Sequence, residues 1–274
     1  MSRIAEVFAA ARRDGRPVFI AFITAGDPAP HLTVPFCEAL ERGGADIIEL
    51  GVPFSDPLAD GPTIQRASGR ALAHGVGLAR SLELAADARR RVGAPLVLFT
   101  YYNPILRMGE ELFAGRAAVA GIDGVLVVDL PPEEGAGLRA LLIARGIDPI
   151  LLVAPTSGKD RIQHAAREAR GFIYYVCRTG VTGARESLPE GLDEAIAAMR
   201  EASSLPVAVG FGISSPEQVR SVGAVADGVV VGSALVAAVE EAVEGAGGGA
   251  GAHSGIPPDL PLRLERAAAR LFAK

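Results

Sequence analysis

Glu49 and Asp60 are the side chains of this sequence whose setting best suits proton transfer. Glu49 lies in the apolar run Asp46-Ile-Ile-Glu-Leu50, and the two-residue period of a strand puts Ile47, Glu49 and Gly51 on one face, Ile48 and Leu50 on the other. A carboxylate on a buried strand is costly unless it is paired or used. Facing a water-poor cavity, it has its pKa raised toward the range where it can both give and take a proton; facing outward, it merely bridges to a helix arginine. Asp60 ends a loop stiffened by Pro53 and Pro57 and precedes Gly61-Pro62, the start of a helical pattern. That position suits an acid/base carboxylate and a helix N-cap equally well.

A second chemistry is written in glycine and serine. Gly210-Phe-Gly-Ile-Ser-Ser-Pro-Glu217 and Val231-Gly-Ser-Ala-Leu235 each lead from a strand into a helix, and Arg178-Thr-Gly-Val-Thr-Gly183 follows another strand. Glycine lets backbone approach an anion, N–H groups at the positive end of a helix bind phosphate, and Ser233 can add its hydroxyl. Lysine argues by scarcity: only Lys159, in the loop or first turn after a strand, and Lys274 occur. No strand carries an amine for an imine with substrate, and no histidines cluster for a metal-assisted enolate. A carbon–carbon cleavage here needs a substrate that holds the electrons itself.

These residues depend on eight short apolar runs: Val18-Phe-Ile-Ala-Phe-Ile-Thr24, Asp46-Ile-Ile-Glu-Leu50, Leu96-Val-Leu-Phe-Thr-Tyr101, Gly124-Val-Leu-Val-Val128, Pro149-Ile-Leu-Leu-Val153, Phe172-Ile-Tyr-Tyr-Val176, Pro206-Val-Ala-Val209 and Gly228-Val-Val-Val231. They start roughly every 30 residues, the repeat of a βα unit. Amphipathic patterns ending in glycine lie between them, as at 32–43, 81–93, 137–146 and 159–171. Unbroken alternation over eight units predicts an α/β fold, a single (β/α)8 TIM barrel spanning 1–274, with an N-terminal helix capping the barrel base. An open doubly wound sheet fits less well, because the first turn, Thr24-Ala-Gly-Asp-Pro28, has no GxGxxG, and no GxxxxGK[ST] loop occurs. The glycine-rich stretch 245–255 reads as a flexible linker before a last helix, 259–273, expected to close the base. In such a barrel the active site lies at the carboxyl ends of the strands, so Glu49, Asp60 and the glycine-serine entrances converge on one mouth.

Composition narrows the partners. The formal charge is −5, and all but two of the 27 basic residues are arginines, scattered along helical patterns instead of gathered in a stripe with aromatics. Nucleic acid is therefore not expected as a partner. No apolar run approaches the ~20 residues of a membrane span, and residues 1–15 form an amphipathic pattern without a signal-peptide core, so a cytoplasmic protein is expected. Cys37 and Cys177 have no CxxC spacing and read as structural thiols; His31, His74, His164 and His253 read as solvated or capping residues.

Gly51-Val-Pro-Phe-Ser-Asp-Pro-Leu-Ala-Asp-Gly-Pro-Thr-Ile-Gln65, with Glu49 just before it, resembles the signature of the tryptophan synthase alpha chain family. Ile23-Thr-Ala-Gly-Asp-Pro28, Tyr102-Asn-Pro104, Asp129-Leu-Pro-Pro132, Arg178-Thr-Gly-Val-Thr-Gly183 and Gly210-Phe-Gly-Ile213 extend the likeness in order along the chain. The resemblance implies a lyase that cleaves indole-3-glycerol phosphate to indole and glyceraldehyde 3-phosphate by a retro-aldol route, with protonated indole as electron sink. Glu49 would protonate indole at C3 and take the proton of the glycerol hydroxyl, and Asp60 would hold the indole N–H. The indole slot would be formed by Phe22, Phe99, Leu126, Val128, Leu152 and Phe211, with Tyr101 and Tyr174 near its mouth and Thr182 reaching Asp60. Several of these, Val128 and Leu152 above all, read equally as barrel core, and alternation with Phe99 favours Tyr101 over Tyr102. Phosphate would sit on Gly183, Gly212, Gly232 and Ser233.

The resemblance further implies no metal, nucleotide or other cofactor in this chain. Pyridoxal phosphate is expected only in a beta chain that receives the indole, within an α2β2 heterotetramer, with the loop 53–60 and the turn around Asn103 facing that partner. A stand-alone indole-3-glycerol-phosphate lyase releasing free indole is the alternative, and a non-catalytic regulatory subunit a more distant one. The stretch 245–255 departs from the family's compact ending.

Overall fold

Each β-branched run forms a strand, and each strand pairs in parallel with the next until the eighth returns to the first. In this computed structural model the described residues are 1–176, 191–210, 212–245 and 256–273. The elements begin with α1 (Arg3–Arg13), β1 (Val18–Thr24), a 3-10 turn (Pro30–Leu32), α2 (Thr33–Arg42) and β2 (Ile47–Gly51). Next come α3 (Pro62–Ala73), α4 (Leu78–Arg89), β3 (Leu96–Thr100), α5 (Tyr102–Met108), α6 (Glu110–Val119), β4 (Gly124–Val127) and α7 (Ala136–Ile143). The chain continues through β5 (Asp148–Val153), α8 (Lys159–Glu168), β6 (Ile173–Val176), α9 (Leu192–Ala202), β7 (Val207–Gly210), α10 (Pro216–Gly223), β8 (Gly228–Val231), α11 (Ser233–Glu244) and α12 (Leu260–Leu271). The result is the closed (β/α)8 barrel expected from the sequence.

Strand alternation sorts the side chains into two cores. Ile20, Ile47, Val97, Leu126, Ile150, Phe172, Tyr174, Ala208 and Val230 fill the barrel interior. Their sequence neighbours Ala21, Ile48, Leu98, Val125, Ile173, Val207 and Val229 face the helical ring. Helix α1 lies across the base: its Ile4 and Phe8 belong to the interior cluster, and the Phe8 ring centre is 5.6 Å from that of Phe172.

Two expectations change. Alternation is not strictly one helix per strand, because β2 is followed by α3 and α4 and β3 by α5 and α6. Gly109, at φ +92°, makes the second break in a conformation that a side-chain-bearing residue rarely adopts. Helix α12 does not close the base; it packs on the flank between α2 and α11. Its apolar stripe of Leu260, Leu264, Ala267, Ala268 and Leu271 needs the long groove between two helices, and α1 already fills the base.

The base is also where carboxylates are used for structure. Aspartates just before three strands accept an amide from the start of the preceding strand: Asp46 from Phe19 at 2.9 Å, Asp123 from Leu96 at 2.8 Å and Asp227 from Val207 at 3.0 Å. Arg16 adds a two-pronged bond to Asp46 at 2.7 and 2.8 Å. Every one of these acids has hydrogen-bond partners, as largely covered polar groups require.

Candidate active site

The mouth at the opposite end of the strands treats its acids differently. Glu49 stands in the middle of β2, beside Phe22 of β1 and Val97 of β3. Ile48 and Leu50 take the outer face, so Glu49 points into the barrel and makes no arginine bridge. It is wholly buried, and neither carboxylate oxygen has a hydrogen-bond partner. Burial alone raises its pKa to about 8, because nothing nearby compensates the charged form. Burial first, and the nearness of Glu49 second, also push the phenol of Tyr174 well above its usual value.

Asp60 approaches the mouth from the loop 53–60. It is not the helix cap: Gly61 is the N-cap residue of α3, Pro62 opens the helix, and no side chain caps it. The alternative use of Asp60 is thereby removed, and the Tyr101 hydroxyl stands near enough to its carboxylate to lower its pKa. Tyr101 in turn accepts the Ala59 amide at 3.1 Å, and the Phe54 ring lies 4.9 Å from its own. The Gln65 amide donates to the Asp60 carbonyl at 2.9 Å. Burial raises the Asp60 pKa to about 6, with the Tyr101 bond acting in the opposite direction. Tyr102 points elsewhere, its hydroxyl 2.8 Å from Glu110.

Apolar walls join the two acids. Phe22 and Phe99 meet edge to face with centroids 5.4 Å apart at 81°. Gly51 makes room for this: a Cβ there would lie 2.4 Å from the Phe22 ring. Phe99, Val128 and Leu152 are partly buried at the rim of the interior cluster, whereas Leu126 is fully buried and Tyr174 nearly so, its ring tilted against that of Phe172 inside the barrel. Tyr174 is thus deeper than a mouth residue. Val176, two residues on along the same face of β6, joins the rim, and sequence alone did not single it out. Nor did it single out Thr24, which ends β1 opposite Gly51 and whose hydroxyl is buried without a partner. The signal was available, since Thr24 shares the face of Phe22.

The proposed phosphate residues separate into two groups. Gly232 is the N-cap residue of α11 and Ser233 its first residue, with no side chain capping the helix, so N–H groups of its first turn are left for an anion. Helix α10 is closed by its own capping box: Ser215 accepts the Gln218 amide, and Gln218 Oε1 accepts those of Ser214 and Ser215. Gly212, at φ +71°, lies in the loop before it. Thr182, Gly183 and Phe211 lie outside the described residues, as do Cys177, His253 and 246–255 of the linker. His31 is exposed and His74 ends α3, but His164 departs from expectation with a buried, unpartnered Nε2. Among the described residues no three His, Cys, Asp or Glu side chains gather to hold a metal ion, and no helix is long and apolar enough to cross a membrane.

Fold and mouth together define the class, a (β/α)8-barrel enzyme with its acids at the carboxyl ends of the strands. The sequence pattern described as tryptophan synthase alpha chain matches residues 8–253. The tryptophan synthase alpha chain of Geobacter sulfurreducens is 54% identical over 236 residues, covering 86% of this chain and 89% of that one. That of Geobacillus kaustophilus is 56% identical over 221 residues, covering 80% and 82%. Among solved structures, tryptophan synthase subunit alpha from Legionella pneumophila superposes with a TM-score of 0.88 at 37% identity, over 99% of this chain and 97% of that one. A Mycobacterium tuberculosis tryptophan synthase structure gives 0.86 at 37% identity, over 98% and 96%.

The chain belongs to the tryptophan synthase alpha chain family. It is a lyase of tryptophan biosynthesis that cleaves indole-3-glycerol phosphate to indole and glyceraldehyde 3-phosphate, and the stand-alone lyase is not favoured.

Proposed function

We propose that Glu49 is the acid and base of this cleavage and that Asp60 answers the charge that develops on the indole nitrogen. Neutral Glu49 donates its proton to indole C3, which leaves the positive charge at the ring N–H, where Asp60 accepts a hydrogen bond. The Glu49 carboxylate then takes the proton of the glycerol hydroxyl next to the ring. That oxygen closes to an aldehyde, the carbon–carbon bond breaks, and its electron pair restores the indole double bond. The proton lost by the hydroxyl replaces the one given to C3, so the enzyme ends as it began.

The observation that carries this reading is the unequal setting of the two acids. With pKa values of about 8 and about 6, Glu49 is mostly neutral and Asp60 mostly ionised at pH 7, the pairing an acid-first mechanism needs. Phe22, Phe99, Tyr101, Leu126, Val128, Leu152 and Tyr174 form the walls of the indole slot. Gly232 and Ser233, with Gly183 and Gly212, take the phosphate. No cofactor enters this route, because the protonated ring receives the electrons.

Pyridoxal phosphate belongs to the beta chain, which takes up the indole in an α2β2 assembly in the cytoplasm. Support for the docking face comes from Leu58 on the loop 53–60, 85% exposed, and Leu106, 58% exposed on α5 just after Asn103. The test is indole release from indole-3-glycerol phosphate by the purified chain, with and without a beta chain. The chain has no tryptophan, so appearing indole is read against a dark background. Slow release that the beta chain accelerates is expected; full-speed release that no beta chain increases would defeat the partner-dependent reading.

A further inference from the structure

Helices α3 and α11 are joined by four charges, Arg66, Arg70, Asp27 and Glu240, none of them assigned a part in the cleavage. Arg70, in the last turn of α3, forks onto Asp27 of the loop after β1 at 2.6 and 3.0 Å and reaches Glu240 of α11 at 2.6 Å. Arg66, one turn earlier, forks onto the same Glu240 at 2.8 and 2.7 Å. The carboxylates are largely covered, with side chains 4% exposed at Asp27 and 10% at Glu240. Below the charges, Ile64 and Ala67 of α3 and Val236 of α11 pack together on Phe22, a wall of the mouth.

The amino end of each helix adjoins a residue proposed for the site. Helix α3 begins two residues after Asp60, and α11 begins at Ser233. We propose that Arg70 and Glu240, with Arg66 and Asp27, are positioning residues that fix the sliding of α3 against α11, and hence the spacing of Asp60 from the phosphate seat at Ser233. This rests on the site reading given above. Apolar contacts such as Ile64 on Val236 hold two helices together but tolerate slip. A planar guanidinium shared between two covered carboxylates does not, because a shift along the axis breaks one fork or leaves a charge unpaired. A substrate with indole at one end and phosphate at the other measures that spacing, and a displacement on the order of 1 Å can cost about a hundredfold in rate.

Glu240→Gln and Arg70→Lys test the clamp in the isolated chain, with inorganic phosphate as a probe that occupies the phosphate seat without reaching Asp60. The clamp predicts that kcat for indole-3-glycerol phosphate falls by about 10- to 100-fold in Glu240→Gln, and by less in Arg70→Lys, while the inhibition constant of inorganic phosphate stays unchanged. Urea unfolding of each variant identifies the folded protein, and Arg70→Lys, which keeps the charge, carries the test where Glu240→Gln does not fold. Unchanged kcat in both folded variants overturns the clamp, and so does a loss of phosphate affinity equal to the loss of turnover, which marks a merely structural role. Glu49→Gln leaves the clamp intact and serves as the control for the site reading: full activity there overturns that reading whatever the clamp variants do.

Discussion

Replacing Glu49 by glutamine should remove activity and yet make the protein more stable at neutral pH. Glutamine matches the shape of the neutral acid but has no proton to lose. In the unfolded chain the acid titrates at its ordinary 4.5, and in the barrel burial moves it to about 8. The folded value lies above the unfolded one, so the contribution of Glu49 to stability is intact below about 4.5, declines as pH rises, and has reached its minimum above about 8. At pH 7 the unfolded chain has released a proton that the fold retains over about 2.5 pH units, which at ~1.4 kcal/mol each comes to ~3 kcal/mol. Urea unfolding followed by circular dichroism at about pH 5, 7 and 8.5 should show the variant gaining on the parent as pH rises, toward that order of magnitude. In the same preparations indole release should fall by about a thousandfold. A stability difference that stays constant from pH 5 to pH 8.5 would refute the reasoning, since it would mean that Glu49 is not held neutral by burial.

Tyr101→Phe removes a hydroxyl that lowers the Asp60 pKa, so the Asp60 value should climb above about 6. The acidic limb of the kcat/KM profile should then move to higher pH while the alkaline limb set by Glu49 stays in place, as steady-state rates across pH would reveal. Asp46→Asn weakens the Arg16 fork and the acceptor of the Phe19 amide at the barrel base. It should cost about 1.5–3 kcal/mol in urea unfolding and leave kcat unchanged.

The period-two pattern was enough to place Glu49, because Ile48 and Leu50 cannot share its face and the barrel leaves no other side to bury it. It was not enough for Asp60, where the choice between a cap and a free acid turned on whether the helix starts one residue later, at a glycine. Helix α12 was misplaced because its amphipathic stripe says that it packs, not on what; only the prior filling of the base by Ile4 and Phe8 decides. Arg70 and Glu240 lie 170 positions apart, and nothing local in either helix announces the other. Thr24 and Val176 were within reach of the same alternation that found Phe22 and Tyr174, but as a small hydroxyl and a plain aliphatic they look like filler until the closed sheet brings them to the rim.

The two ends of the barrel put one chemical group to opposite uses, and the number of partners accounts for the difference. Asp46 at the base has an arginine fork and a backbone amide, which tie neighbouring strands together. The same fork beside Glu49 would improve the fold and end the proton donation proposed for it, since protonating a ring carbon requires an acid that is still neutral at the working pH. Asp60 is intermediate, with burial raising its pKa and a single tyrosine bond opposing that rise, which leaves it ionised when Glu49 is not. On the proposed route the chemistry is therefore specified less by the presence of two carboxylates than by zero partners at Glu49 and the nearby Tyr101 hydroxyl at Asp60. An added cation at the mouth would blunt the enzyme even if it touched no substrate.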